Sequence, residues 1–106
     1  MTRYVLAVHT NPVEGREDEY NDWYSNRHLA DLLAIPGVVS ARRYVLGERQ
    51  MTAVPQAFKY LALYEIETAD GQDFIDQVFA RSGTEHMPIS AALGSEKTAV
   101  LWRAIS

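Results

Sequence analysis

The stretch Phe58-Lys59-Tyr60-Leu61-Ala62-Leu63-Tyr64-Glu65-Ile66-Glu67 decides the fold. It alternates with a period of two and is rich in aromatic residues, the pattern of a β-strand. Phe58, Tyr60, Ala62, Tyr64 and Ile66 share one face, and Leu61 and Leu63 lie on the other. With both faces partly apolar, the strand belongs in the middle of a sheet or under cover on both sides. Upstream, Gly47 to Ala57 is polar and contains a proline, so it reads as a connecting loop, and Val38 through Leu46 reads as a second strand. Pro36-Gly37 separates that strand from a helical spacing that runs from Arg16 through Ile35. Glu17, Asp18 and Glu19 sit at its start, where they suit the positive end of the helix dipole. Before the break Asn11-Pro12-Val13-Glu14-Gly15, the run Arg3 to Thr10 reads as the first strand. Downstream, Thr68-Ala69-Asp70-Gly71 has capping character and precedes a helix over about Gln72 to Ala80, with Phe74, Ile75, Val78 and Phe79 as its apolar side. Ser82-Gly83 ends it, Thr84 to Ser95 reads as irregular, and Lys97 through Ile105 as a last strand.

The order β-α-β-β-α-β is that of an α+β, ferredoxin-like fold with a four-stranded antiparallel sheet and both helices on one face. The other face must be solvated or covered. Tyr4, Leu6, Val8, Tyr44, Tyr60, Tyr64, Val100 and Trp102 make the strand inventory too apolar for a freely wet face. A second copy covering it, as a homodimer whose sheets face each other, is the expected solution.

Length and composition narrow the function. At 106 residues the chain, 1–106, reads as a single domain. A net charge of −4, with Arg42-Arg43 the only adjacent basic pair, argues against a nucleic-acid partner. The absence of cysteine removes disulfides, thiolate nucleophiles and thiolate metal sites, and suits a reducing cytoplasmic setting. No apolar run approaches the roughly 20 residues of a membrane span, and no signal-peptide pattern precedes the first strand. Nucleotide-binding glycine loops and the serine-hydrolase elbow are also missing.

The first helix carries the chemistry. On a regular α-helix Tyr20, Tyr24, Arg27, His28, Asp31 and Ile35 fall within an arc of about 100°, where leucines and alanines would ordinarily sit. A helix face that donates, accepts and titrates is expected to line a small-molecule pocket. His28 and Asp31 are three residues apart, and Arg27 and Asp31 four, so Asp31 can hold His28 in one tautomer and raise its basicity, or pair with Arg27. A histidine oriented by a carboxylate is a competent general acid or base. Trp23 would wall the pocket or join the core. One of Arg42 and Arg43 must point toward the helices, and an inward Arg43 would bind a carboxylate or enolate. Tyr64 is one of three strand tyrosines able to donate to a developing oxyanion. His86 lies in the irregular segment after the second helix. His9, His28 and His86 have no metal-ligand spacing, so no metal and no cofactor is expected.

The run NPVEGREDEYNDWYSNRHLADLLAIPGVVSARRY, Asn11 to Tyr44, resembles the EthD-like members of the dimeric α/β-barrel superfamily, in which a W-Y-x-x-x-H-x-x-D-type helix precedes a Pro-Gly and an aromatic or basic strand. The resemblance implies a homodimer with a pocket between the helices and the curved sheet of each subunit. It also implies a role for a histidine near His86, as in some cyclases and haem-binding members. That superfamily holds polyketide cyclases, isomerases, and antibiotic-type and haem-degrading monooxygenases. The expected function is a cofactor-independent isomerase, cyclase or lyase acting on a small cyclic or aromatic molecule. His28, Asp31 and Tyr24 would be catalytic, and Trp23, Arg43, Tyr64 and His86 would bind the substrate. The alternatives are a non-catalytic ligand-binding or accessory protein, and a monooxygenase.

Overall fold

The computed structural model describes all residues from Met1 to Ser106. Strand β1 (Thr2–Pro12) is followed by α1 (Glu17–Trp23), a π-helical turn (Tyr24–His28) and α2 (Leu29–Leu33), which run on as one rod. Then come β2 (Val38–Val45), β3 (Tyr60–Thr68), α3 (Gly71–Arg81) and β4 (Leu93–Arg103). The strands form one sheet in the order β2-β3-β1-β4, every pair antiparallel. This is the α+β, ferredoxin-like arrangement expected from the element order, with β3 inside the sheet as its two-sided pattern requires.

The register sorts the side chains. Leu6 lies opposite Tyr64 and Leu101, Val8 opposite Ala62 and Ala99, and Thr10 opposite Tyr60 and Lys97. Arg43 lies opposite Ala62. Opposed residues share a face, so these form the side on which the helices rest, and the buried core of Leu6, Tyr20, Tyr24, Leu32, Tyr64 and Ile66 lies there. The face inventory of the sequence needs correction on this point. Tyr4, Leu6, Val8, Tyr60 and Tyr64 belong to the helix-covered side, and Tyr44, Val100 and Trp102 to the open side. The open side stays apolar all the same, because Val5, Ala7, Leu61 and Leu63 alternate onto it. Tyr44 is 44% exposed and Trp102 63%.

Two features at the element ends have local causes. β4 begins at Leu93, four residues before the sequence pattern starts, because a bulge between Thr10 and Pro12 lets Pro12 pair with Leu93. The Val13 amide continues the contact by donating to the Ala92 carbonyl at 2.7 Å. Gly94, a turn signal locally, is required there by the tight approach of two strands: a Cβ would lie 2.6 Å from the Asn11 carbonyl oxygen. The Pro36-Gly37 stop holds, since Gly37 has φ +95° and its carbonyl accepts from the Glu67 amide at 2.8 Å. At the second helix Asp70 is the N-cap, its carboxylate accepting from the amides of Gln72 and Asp73 at 3.0 and 3.4 Å.

Candidate functional site

The site is organised by the π-helical turn. The Leu29 amide donates to the Tyr24 carbonyl, five residues back, so one extra residue is accommodated between α1 and α2. On a regular helix residues five apart point about 140° away from each other. The wider turn instead brings Trp23 and His28 together, their rings stacked at 4.6 Å between centroids and 28° between planes. Tyr24 meets the same imidazole edge-on at 5.0 Å and 89°. The indole NH of Trp23 donates to the Pro88 carbonyl at 3.1 Å, which ties the stack to the segment after α3. Wide turns of this kind recur at functional sites.

These rings wall a cavity of about 100 Å³ between the first helix and the sheet. Thr10, Trp23, Tyr24, His28 and Tyr64 supply its polar and aromatic side, and Lys97 reaches it from β4. Leu6, Val8, Leu32, Val78 and Met87 supply apolar surface. His28 Nδ1 is buried without a hydrogen-bond partner, and the Tyr64 hydroxyl, buried beside Tyr24, makes no hydrogen bond of good geometry. A buried polar group without a partner costs about 1–3 kcal/mol, and such exceptions call for an explanation.

The electrostatics differ from the expected His–Asp pair. Asp31 is engaged by Arg27, whose Nε donates to both carboxylate oxygens at 3.1 and 2.9 Å. Arg27 also donates to the Glu85 carbonyl at 2.9 Å. No bond joins Asp31 to His28, so no protein group selects the imidazole tautomer. Burial lowers the His28 pKa to about 4, outweighing the opposing pull of the Asp31 charge, and Lys97 pushes the same way as burial. The expectation of a raised basicity is thus reversed: Asp31 is engaged by Arg27, and desolvation of the ring wins. Burial raises the Tyr24 phenol to about 12 and pushes Tyr64 still further up, so both are neutral hydroxyls at ordinary pH.

The other expected site residues divide. Arg43 points toward the helices and Arg42 to the open face, as the alternation allowed, yet Arg43 does not line the cavity. It donates to Ser25 Oγ at 2.8 Å and Asn21 Oδ1 at 2.9 Å, and lies 4.6 Å from the Tyr24 ring centroid and 5.2–5.3 Å from those of Tyr20 and Tyr60. Through these contacts it backs the Tyr24 ring from the side away from the cavity. His86 is exposed in the loop after α3, away from the cavity, while its neighbour Met87 turns inward. Being on an irregular segment, neither had a periodic signal to orient it. His9 sits on the open face, 3.2 Å from Thr98 Oγ1. Tyr60 donates to Glu17, which also binds Lys59 at 2.7 Å. No three His, Asp or Glu side chains cluster as a metal site would require.

Sequence reasoning missed Thr10, Lys97, Val78 and Met87. Thr10 and Lys97 were visible only through strand register, since they pair directly across β1 and β4. Thr10 is 2% exposed and bonds the Tyr20 hydroxyl at 2.5 Å, which holds the helix against the strand.

No protein-family model matches the chain, and no curated protein sequence does. Solved structures match in shape. A candidate monooxygenase from Shewanella loihica PV-4 superposes with a TM-score of 0.62 at 15% identity, over 100% of this chain and 98% of that one. An EthD family protein from Bacillus halodurans C-125 superposes with a TM-score of 0.53 at 14% identity, over 99% of this chain and 100% of that one. Likeness at this identity speaks to the fold. The chain therefore has the fold of an EthD family protein along its whole length, in keeping with the EthD-like resemblance of Asn11 to Tyr44.

Proposed function

We propose that the protein binds a small cyclic or aromatic molecule in the cavity beside His28 and moves a proton on it without a cofactor, as an isomerase, cyclase or lyase. The observation that carries this reading is that His28 and Tyr64 line one cavity and each holds a buried polar atom without a partner. A ligand with a carbonyl next to an acidic C–H would satisfy both. His28 would take the proton from carbon as the C–H electron pair passes to the enolate oxygen. A neutral hydroxyl of Tyr64 or Tyr24 would donate to that oxygen, and the proton would return to a carbon of the same molecule. An imidazole with a pKa of about 4 is a weak base that is always in its base form near neutrality. It suits a C–H acidified by two carbonyl groups or by conjugation with a ring. Asp31 has no direct part in this step. The apolar open face of the sheet supports assembly as a homodimer through sheet faces.

Hydrogen exchange tests the proton transfer whatever product the reaction forms. Cyclic and aromatic β-dicarbonyl compounds are incubated with the protein in deuterated water, and exchange next to the carbonyl is followed by NMR. Catalysed exchange that His28→Gln lowers by about 10²–10⁴, with the fold unchanged by circular dichroism, is the expected result. Tight binding without exchange would leave the second reading, a ligand-binding or accessory protein, which the low basicity of His28 favours. Likeness in fold to a candidate monooxygenase adds no residue-level support for oxygen chemistry.

A further inference from the structure

The His28 cavity has room for only the reactive end of an organic ligand. At about 100 Å³ it has room for a few water molecules at roughly 30 Å³ each, whereas small-molecule sites run to about 300–1,000 Å³. A second hollow of about 200 Å³ lies between α3 and β4. Leu6, Val78, Ser82, Lys97 and Ala99 line both, so the two adjoin. The outer part is walled by Ile75, Phe79 and Leu101, with Phe79 left 77% exposed on the helix beside it. Lys97, an exposed side chain, stands where the two hollows meet, and it takes part in none of the chain's ion pairs or side-chain hydrogen bonds. An apolar trough with one unpaired cation at its midpoint is complementary to an elongated apolar molecule that carries an acid group.

Resting on the proton-transfer reading of the His28 cavity, we infer that the ligand is an elongated apolar acid. Its reactive end lies against His28 and Tyr64, its carboxylate or other anionic group meets Lys97, and its apolar remainder lies in the trough between α3 and β4. The volume decides the elongated shape, and the unpaired cation decides the charge. Phe79, on this account, is the exposed edge of the trough rather than a stray surface residue.

The probes are 2-benzylhexanoate, whose carboxylate stands between two apolar arms, and its neutral counterpart 2-benzylhexan-1-ol, with affinity and location read from amide chemical-shift changes in the NMR spectrum of the full chain. The acid is expected to bind more tightly than the alcohol, with shifts at Trp23 and His28 and also at Ile75, Phe79 and Leu101. Lys97→Met should weaken the acid by about twofold to fivefold and leave the alcohol unchanged, the size of one exposed ion pair. Ala99→Trp, on an exposed strand position, should fill the trough and weaken both probes. Shifts at Trp23 and His28 without shifts along α3 would overturn the trough while leaving the His28 cavity as a ligand site. Equal binding of acid and alcohol, unaffected by Lys97→Met, would overturn the acid preference. Shifts confined to the open face at Leu61, Leu63 and Trp102, or none at all, would overturn both readings.

Discussion

At the scale of the residue, His28 Nδ1 and the Tyr64 hydroxyl are buried polar atoms left without a protein partner, which a bound ligand would satisfy. Removing the Tyr64 hydroxyl takes away a buried donor without a partner. Tyr64→Phe should therefore be neutral or raise stability by about 1 kcal/mol, seen as an unchanged or higher melting temperature, while it weakens ligand binding. A loss of stability would mean that the hydroxyl has a protein partner. For His28 the sign follows from its lowered pKa. Between pH 6.5 and about 4 the unfolded chain binds a proton that the folded chain refuses. Stability is thus full above 6.5 and declines as the pH falls through that window, by as much as about 3 kcal/mol from this group. Urea midpoints measured from pH 7 downward should fall less steeply in His28→Phe than in the parent. Exposed Glu17 and Glu67, whose pKa values are lowered by Lys59 and Arg3 respectively, act only at more acid pH. In the free protein the pH–rate limb assigned to His28 should likewise lie near 4 rather than near 6.5. The identities of Trp23, Tyr24, His28 and Tyr64 as pocket residues were legible in the sequence. The partner of Asp31 was not, because spacing alone permits both Arg27 and His28.

At the scale of the element, the first helix shows where periodicity stops informing. Before the wide turn its buried side agrees with a regular helix, Tyr20 and Tyr24 being buried; after it the expected inward face shifts, since Arg27 is exposed and Leu32 is buried. The wide turn at Tyr24–His28 has no signature in residue type, since no proline or glycine marks it. Packing sets it, through the Trp23 tether to Pro88 and the Arg43 brace behind Tyr24. The second helix, by contrast, is locally determined. Its cap is Asp70, and Asp70→Ala should cost about 1 kcal/mol, with Asp70→Asn close to neutral, in chemical denaturation. Gly37 is a stricter position, where a Cβ would stand 2.8 Å from the Glu67 carbonyl oxygen at a positive φ. Gly37→Ala should lose more than about 1 kcal/mol for that reason.

At the scale of the whole molecule, one face of the sheet is covered and the other is not. The exposed ion pairs of Arg3 with Glu65 and Glu67 lie at its margin and add little to stability. The open face holds Val5, Leu63, Tyr44, Val100 and Trp102, and its burial against a second copy is the expected use of that surface. Trp102→Asp should shift the mass measured by light scattering from two chains to one and leave the circular dichroism spectrum unchanged. A parent chain that is already monomeric would rule out the dimer. No helix is long and apolar enough to cross a membrane. The sequence alone determined the element order, the two faces of β3, the helix stops and the placing of Tyr24 beside His28, because each rests on local periodicity, a cap or a turn residue. Only the tertiary structure decided that Asp31 pairs with Arg27, that Arg43 lies behind Tyr24 and off the cavity wall, that His86 is exposed away from it, and that Lys97 and Thr10 line it. Those outcomes depend on strand register and on the wide helical turn, which arise when distant segments compete to bury the same side chains.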